Sequence, residues 1–164
     1  MTDNEDKWVT PSRGDFDFDE MIENIKDYIK SDPEYQYQVL IGADAQTHPK
    51  HKTTRYVTVV IARRVGKGAQ YYLKKENLRM ANSLDEKIWH EATSAYSTIE
   101  KVREALEGFV DKSNIIPHVD IGEVGETRDL IAGVRGMFIG SGYDNIQIKP
   151  YSYAASGVAD KHSK

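Results

Sequence analysis

The sequence contains no cysteine among its 164 residues. Disulfide bonds and thiolate metal sites are therefore excluded, and a reducing compartment such as the cytoplasm is the expected location. The longest apolar runs, such as residues 57–62, are far too short to cross a bilayer. The first six residues are polar and acidic, without the apolar stretch of a secretory signal. These absences predict a cytoplasmic protein that has no membrane partner.

The sequence also lacks an excess of positive charge. It has 22 lysine and arginine residues against 26 aspartate and glutamate residues, which gives a net charge of −4 at pH 7. A protein that coats DNA or RNA is usually basic, so a general coating role is disfavoured. The basic residues are nevertheless clustered, because Lys50, His51, Lys52 and Arg55 share one short segment and further cations follow up to Arg79. Such a cluster is either a solvated surface or a local contact for nucleic acid.

Hydrophobic periodicity predicts a lead-in at residues 1–16 and a single α/β domain at 17–164. The lead-in is polar and contains turn-forming residues, which predicts a flexible segment. The predicted elements are, in order, a helix at 17–33, strands at 37–42, 56–64 and 69–76, a helix at 84–109, a strand at 115–121, a helix at 127–139, a strand at 145–149 and a final short helix at 152–161. This order predicts a five-stranded mixed sheet, in which a three-strand antiparallel meander and two parallel strands carry helices on both faces.

Two aspartates occupy positions where a carboxylate is costly to bury without compensation. Asp44 follows the apolar run of the first predicted strand, and Asp120 lies inside the fourth, between Val119 and Ile121. An aspartate that precedes a loop is also a common turn former, so that structural role stays open for Asp44. Asp120 is harder to explain as a turn former, because apolar residues flank it on both sides.

The long helix offers a third carboxylate. At about 100° per residue from Ile88, Glu91 falls near one edge of the apolar stripe and Asp85 near the other edge. Both are candidates, whereas the remaining glutamates of this helix point towards solvent. Clustered carboxylates repel one another, and hard divalent cations such as Mg²⁺ remove that repulsion while they bind substrate phosphate. The pattern therefore favours a metal-dependent phosphodiester hydrolase.

Three segments are specific in combination: residues 41–48 (IGADAQTH), 118–122 (HVDIG) and 153–160 (YAASGVAD). Together they resemble the YkuK-type ribonuclease H-like family, and the likeness extends from about residue 16 to 161. The resemblance implies a ribonuclease H-like fold and a nuclease that uses Mg²⁺ or Mn²⁺ to cut RNA, RNA/DNA hybrid or DNA. It also implies four residues that are both metal ligands and catalytic: Asp44, Glu91, Asp120 and Asp160. Asp160 is a candidate through the resemblance alone.

Two histidines are secondary candidates. His48 follows the first strand and is placed to contact a scissile phosphate or to shuttle a proton near neutral pH. His118 lies two residues before Asp120, on the same face of the predicted strand, and is placed to support the site. Each histidine is also explained as an ordinary loop or strand residue.

Two other functions stay open at this point. A ribonuclease H-like module without catalysis would bind nucleic acid or a protein partner and show no metal-dependent turnover. A metal-dependent phosphohydrolase would act on small nucleotides instead of polymers. A DEDD-type exonuclease is disfavoured, because such an enzyme carries Asp-x-Glu on its first strand and this chain has Asp44-Ala45-Gln46.

Overall fold

The computed structural model of the chain describes residues 6–119 and 128–148. The strands in these residues are β1 (Trp8–Thr10), β2 (Gly14–Phe16), β3 (Tyr37–His48), β4 (Thr53–Arg64), β5 (Ala69–Arg79), β6 (Ile115–Val119) and β7 (Gln147–Ile148). The α-helices are α1 (Phe18–Ser31), α2 (Leu84–Ala105) and α3 (Arg128–Gly140). From α1 onward, the order of helices and strands follows the prediction.

The strands form one mixed sheet in the order β2-β1-β5-β4-β3-β6-β7. Neighbours β3, β4 and β5 are antiparallel, whereas β6 runs parallel to β3 and β7 runs parallel to β6. This arrangement confirms the predicted meander with two parallel strands. Pro117 lies inside the regular strand β6. The proline is tolerated because β7 pairs with β6 only from His118 onward.

The amino-terminal segment differs from the prediction. Its described part, residues 6–16, contains a hairpin of β1 and β2, and Val9 pairs with Leu73 of β5. Gly14 begins β2 with a φ of 88°, which glycine adopts without steric cost. Trp8 is buried in the main core, and this large apolar side chain fixes a segment whose other residues are mostly polar. The described sheet therefore has seven strands where five were predicted.

Helix α2 begins as its sequence predicts and ends earlier. Ser83 is its N-cap and accepts a hydrogen bond from the Glu86 backbone N–H at 3.1 Å. The helix ends at Ala105, and Gly108, with a φ of 84°, turns the chain before Phe109. Phe109, the last residue of the predicted helix, consequently lies outside α2 and is 37% exposed.

All three described helices contribute to one hydrophobic cluster on one face of the sheet. The members of this cluster from α2 are Ile88, Ala92, Ala95, Ile99 and Val102, and α1 and α3 add Met21, Ile22, Ile25, Val134 and Phe138. We call this the helix face, and the other side the open face. The helix predicted at 152–161 lies outside the described residues. No helix within 6–119 or 128–148 has the length and apolar character needed to span a membrane.

Candidate active site

Asp44 lies inside a long strand rather than at the end of a short one. Strand β3 continues to His48, and each residue pairs with β4 from Tyr37 opposite Arg64 to His48 opposite Thr53. Residues 43–55, which separate the first two predicted strands, therefore lie mostly in β3 and β4, with a turn around Pro49–His51 between them. A residue paired within a regular ladder does not shape a turn, so the turn-former interpretation of Asp44 is excluded.

Alternation along β3 places Asp44 on the open face. Ile41 and Ala43 belong to the hydrophobic cluster of the helix face, whereas Leu40 belongs to a second cluster on the open face. Because successive side chains of a strand point to opposite faces, Asp44 shares a face with Leu40. Asp44 is half-buried and lies opposite Val57, which is fully buried.

Glu91 lies on the helix face, in a cavity that is also lined by Ala43, the residue before Asp44. It is half-buried on α2, whereas its competitor Asp85 is exposed in the first turn of the helix. Burial, followed by the negative charge of Glu91, raises the pKa of Tyr56, whose ring centroid lies 4.1 Å from that of His90. The two edges of the apolar stripe are therefore not equivalent, and the structure favours Glu91 over Asp85 as the helical carboxylate of the site.

The two faces meet where the pairing of β3 with β6 ends. The last paired residues are Gly42 and His118. Just beyond them, Glu91 and His118 line one cavity of about 10 Å³, together with Ala43, Ile88, Ala92, Ala95 and Val119. Its volume suits a single water-sized group. Since Glu91 comes from the helix face and alternation assigns His118 to the open face, the end of this pairing connects the two sides of the sheet.

Two predicted ligands, Asp120 and Asp160, lie outside the described residues. In the sequence, Asp120 directly follows Val119, a residue that lines the cavity. Within the parts of the chain that the structure describes, no group of three or more histidine, aspartate or glutamate side chains is arranged to hold a metal. Asp44 and Glu91 are the described members of the predicted set. Their carboxylate oxygens are the donors that Mg²⁺ and Mn²⁺ prefer, so their chemistry fits such an ion.

The two histidines occupy different environments. His118 is 2% exposed, and burial lowers its pKa to about 4, partly offset by a hydrogen bond with Gln147. Its imidazole is therefore neutral at pH 7. His48 is half-buried at the far end of β3, and its Nε2 atom has no hydrogen-bond partner among the described residues. Four residues along a strand separate His48 from Asp44 by about 14 Å, so the structure does not bring these two side chains together.

Sequence reasoning missed a larger cavity of about 560 Å³ on the open face. Its lining includes apolar Leu40 and Ile61, the cations Arg63 and Lys67, and His118, which also lines the small cavity beside Glu91. A cavity of this size is typical of ligand sites. No sequence pattern marks it, because its residues come together only through the register of β3, β4 and β6.

Comparison with known proteins agrees with this architecture. Residues 20–164 match the family model described as Ribonuclease H-like. The chain therefore belongs to the ribonuclease H-like family. It is also similar to the uncharacterized protein YkuK of Bacillus subtilis (strain 168), with 32% identity over 168 aligned positions that cover 93% of this chain and 94% of that protein. No solved structure gives a significant match. These findings confirm the predicted fold class and the resemblance.

Proposed function

We propose that the protein is a divalent-metal-dependent nuclease that hydrolyses phosphodiester bonds of RNA, RNA/DNA hybrid or DNA. One observation carries this proposal. Asp44 lies on β3 two residues beyond the end of its pairing with β6, and Glu91 lines the cavity at that end, in a chain of the ribonuclease H-like family. A strand and a helix that each bring a half-buried carboxylate to one place suit a cation that both can bind.

The proposed ligands and catalytic residues are Asp44, Glu91, Asp120 and Asp160. When bound, Mg²⁺ or Mn²⁺ lowers the pKa of a water molecule and neutralises charge on the phosphate. Asp44 would hold the ion from the open face and Glu91 from the helix face. Asp120 joins the proposal because it follows Val119 in the cavity wall, and Asp160 because of the family motif alone.

His118 acts in this proposal as a positioning residue. It is the last residue of β6 paired with β3, and it lines the cavity beside Glu91. A neutral imidazole orients neighbouring groups by hydrogen bonding and adds no charge to the site. We propose that His48 contacts the substrate further along the open face.

The cytoplasm is the proposed location, because a chain without cysteine needs no oxidising compartment. We also propose that residues 17–164 form a single domain. Helices α1, α2 and α3 share one hydrophobic cluster with the sheet, which supports one folding unit over the described part of that range.

A cleavage assay tests the nuclease directly. Labelled RNA, DNA and hybrid polymers, with mononucleotides beside them, are incubated with Mg²⁺ or Mn²⁺ and the wild type or the Asp44→Asn variant. The matched control is Asp27→Asn, an exposed aspartate of α1. We expect metal-dependent cutting of a polymer that disappears in Asp44→Asn and persists in Asp27→Asn.

Each other outcome contradicts the proposal in a distinct way. Turnover of mononucleotides alone would assign a small-nucleotide phosphohydrolase. Binding of polymers without cleavage, by folded and metal-loaded protein, would assign a module without catalysis. Full activity in Asp44→Asn would remove Asp44 from the site.

A further inference from the structure

The open face becomes positively charged beyond Asp44. Val57 belongs to the hydrophobic cluster of the open face, so Arg55, two residues before it, points to the same side. Strand pairing places Lys75 opposite Val57. Arg55 and Lys75 form what we call the cationic strip.

The strip lies within reach of Asp44. Pairing aligns Asp44, Val57 and Lys75 in one row across β3, β4 and β5, so the α-carbons of Asp44 and Lys75 are about 10 Å apart. Arg55 pairs with Gln46, two residues after Asp44. It is therefore a diagonal neighbour of Asp44 at about 7–8 Å. A chain of phosphates that passes Asp44 would meet these cations next.

The strip has few acidic partners. Lys75 is exposed and has no ion pair within residues 6–119 or 128–148. Arg55 donates from Nε to Asn77 Oδ1 at 3.1 Å, and no described hydrogen bond uses its Nη atoms. Arg79, at the end of β5, is not part of the strip, because its Nη2 binds Glu86 Oε1 of α2 at 2.7 Å. Both cations of the strip thus present charge that the described fold leaves uncompensated.

The neighbouring residue Lys74 shows the contrast. It points to the helix face, and its Nζ binds Asp6 Oδ1 at 2.9 Å. Adjacent lysines on one strand therefore differ in role, since one is paired within the fold and the other faces outward beside a proposed catalytic aspartate. The exposed Lys50 and Lys52 of the β3–β4 turn add positive charge at the same end of the sheet.

We propose that the cationic strip binds the sugar–phosphate backbone of the nucleic-acid strand whose phosphodiester lies at Asp44. This inference rests on the proposed nuclease function. The strand would pass Asp44 with phosphates at Arg55 and Lys75. Contacts to phosphates carry no sequence information, so the strip sets the path of the strand and not its sequence preference.

The test measures binding without cleavage. Fluorescence anisotropy of labelled single-stranded RNA and DNA is followed in EDTA over a series of salt concentrations. For the double variant Arg55→Ala/Lys75→Ala, we expect binding about tenfold weaker at low salt. The slope of log affinity against log salt should also become shallower by about 1.4, the value for two lost phosphate contacts on a single strand. Lys75→Arg should bind like the wild type.

The control is Lys74→Ala, compared with the single variant Lys75→Ala, because each removes one positive charge from β5, on opposite faces; Lys75→Ala should weaken binding more. Loss of affinity in Lys74→Ala as large as in Lys75→Ala would overturn the strip, because only total charge would then matter. Unchanged affinity and salt slope in the double variant would also overturn it. Equal midpoints of thermal unfolding for all variants ensure that folding does not explain the result.

The assay separates this proposal from the nuclease. If no polymer is cleaved in Mg²⁺ but the double variant binds more weakly in EDTA, the strip stands and the nuclease fails. If cleavage occurs and the double variant binds as tightly as the wild type, the nuclease stands and the strip fails.

Discussion

The two faces of the sheet are built from the same strands and differ in their chemistry. On the helix face of β3, Val39, Ile41 and Ala43 are buried against helices in one continuous core. On the open face, the same strand changes from buried Leu40 to half-buried Asp44 within four residues. The helix face therefore carries the larger hydrophobic cluster, whereas the open face of β3 becomes polar towards its carboxyl end.

This difference shows how one strand contributes both to the hydrophobic core and to the proposed site. Because side chains alternate, a residue that stabilises the core sits next to a residue that faces the other side of the sheet. Glu91 differs from Asp44, since it is a carboxylate that a helix brings from the helix face. Glu91 lies where the pairing of β3 with β6 ends, and at that point the two faces of the sheet are connected.

The largest expected effect is the loss of cleavage activity on mutation of Glu91. Glu91→Gln keeps the size of the side chain and removes its charge. Mutation of a residue that only orients a metal ligand lowers activity by up to about 100-fold. Because Glu91 is a proposed ligand itself, we expect cleavage to fall by more than that. Glu104→Gln, on the exposed side of the same helix, should stay within about twofold of the wild type. Rates are compared at saturating Mg²⁺. Equal rates for the two variants would show that the helix contributes no ligand.

The next largest effect is the difference between the two faces in their contribution to the free energy of unfolding. Ile99 is fully buried on α2, and Ile99→Ala should lower the free energy of unfolding by about 2–5 kcal/mol. Lys75→Ala, on the exposed end of the open face, should change it by less than about 0.5 kcal/mol. Urea denaturation measures both values. A larger loss for Lys75→Ala than for Ile99→Ala would contradict the division between the faces.

A polar contact fastens the carboxyl end of α3 to α2. Tyr143 is fully buried, and its hydroxyl donates to Glu100 Oε1 at 2.5 Å. Tyr143→Phe removes a hydrogen bond to a charged group, so we expect a loss of about 1.5–3 kcal/mol in unfolding free energy. Urea denaturation gives the value, and Tyr96→Phe, which loses a neutral bond to Ser141, should cost less. The reverse ranking would mean that the charge of Glu100 adds nothing.

The same contact predicts the smallest effect, a dependence of stability on pH. The hydrogen bond from Tyr143, aided by Arg103 and opposed by burial, lowers the pKa of Glu100 below its usual value of 4.5. A carboxyl with a lowered pKa in the folded state stabilises the protein above its unfolded pKa, and this contribution is lost as the pH falls below 4.5. Tyr143→Phe should therefore show a shallower loss of unfolding free energy in acid. An identical acid slope in both proteins would exclude this origin.

Most of the fold could be predicted because its apolar residues follow clear periods. The strands of the meander and the helix of residues 84–105 show the periodicity of two or of 3.6 that burial on one face demands. The hairpin containing Trp8 was missed, because its strands are three residues long and lie among polar residues. The extension of β3 to His48 was missed because its open-face side chains are polar and resemble a loop in sequence.

The site was predictable only in part, for a related reason. Asp44 follows an apolar run, and Glu91 borders an apolar stripe, so local patterns identify both residues. The position of a residue relative to other strands depends on distant parts of the sequence. Sequence shows that Arg55 and Lys75 are cations, but only the register of β3, β4 and β5 places them beside Asp44 on one face.

The central claim is that Asp44 and Glu91 bind the same metal ion from opposite faces of the sheet. A double-mutant cycle on Mn²⁺ affinity, measured by titration calorimetry for the wild type, Asp44→Asn, Glu91→Gln and the double variant, tests it most directly. We predict that the double variant loses less binding free energy than the sum of the two single losses, by at least about 0.5 kcal/mol. Losses that add, or single variants that bind Mn²⁺ like the wild type, would contradict a shared ion.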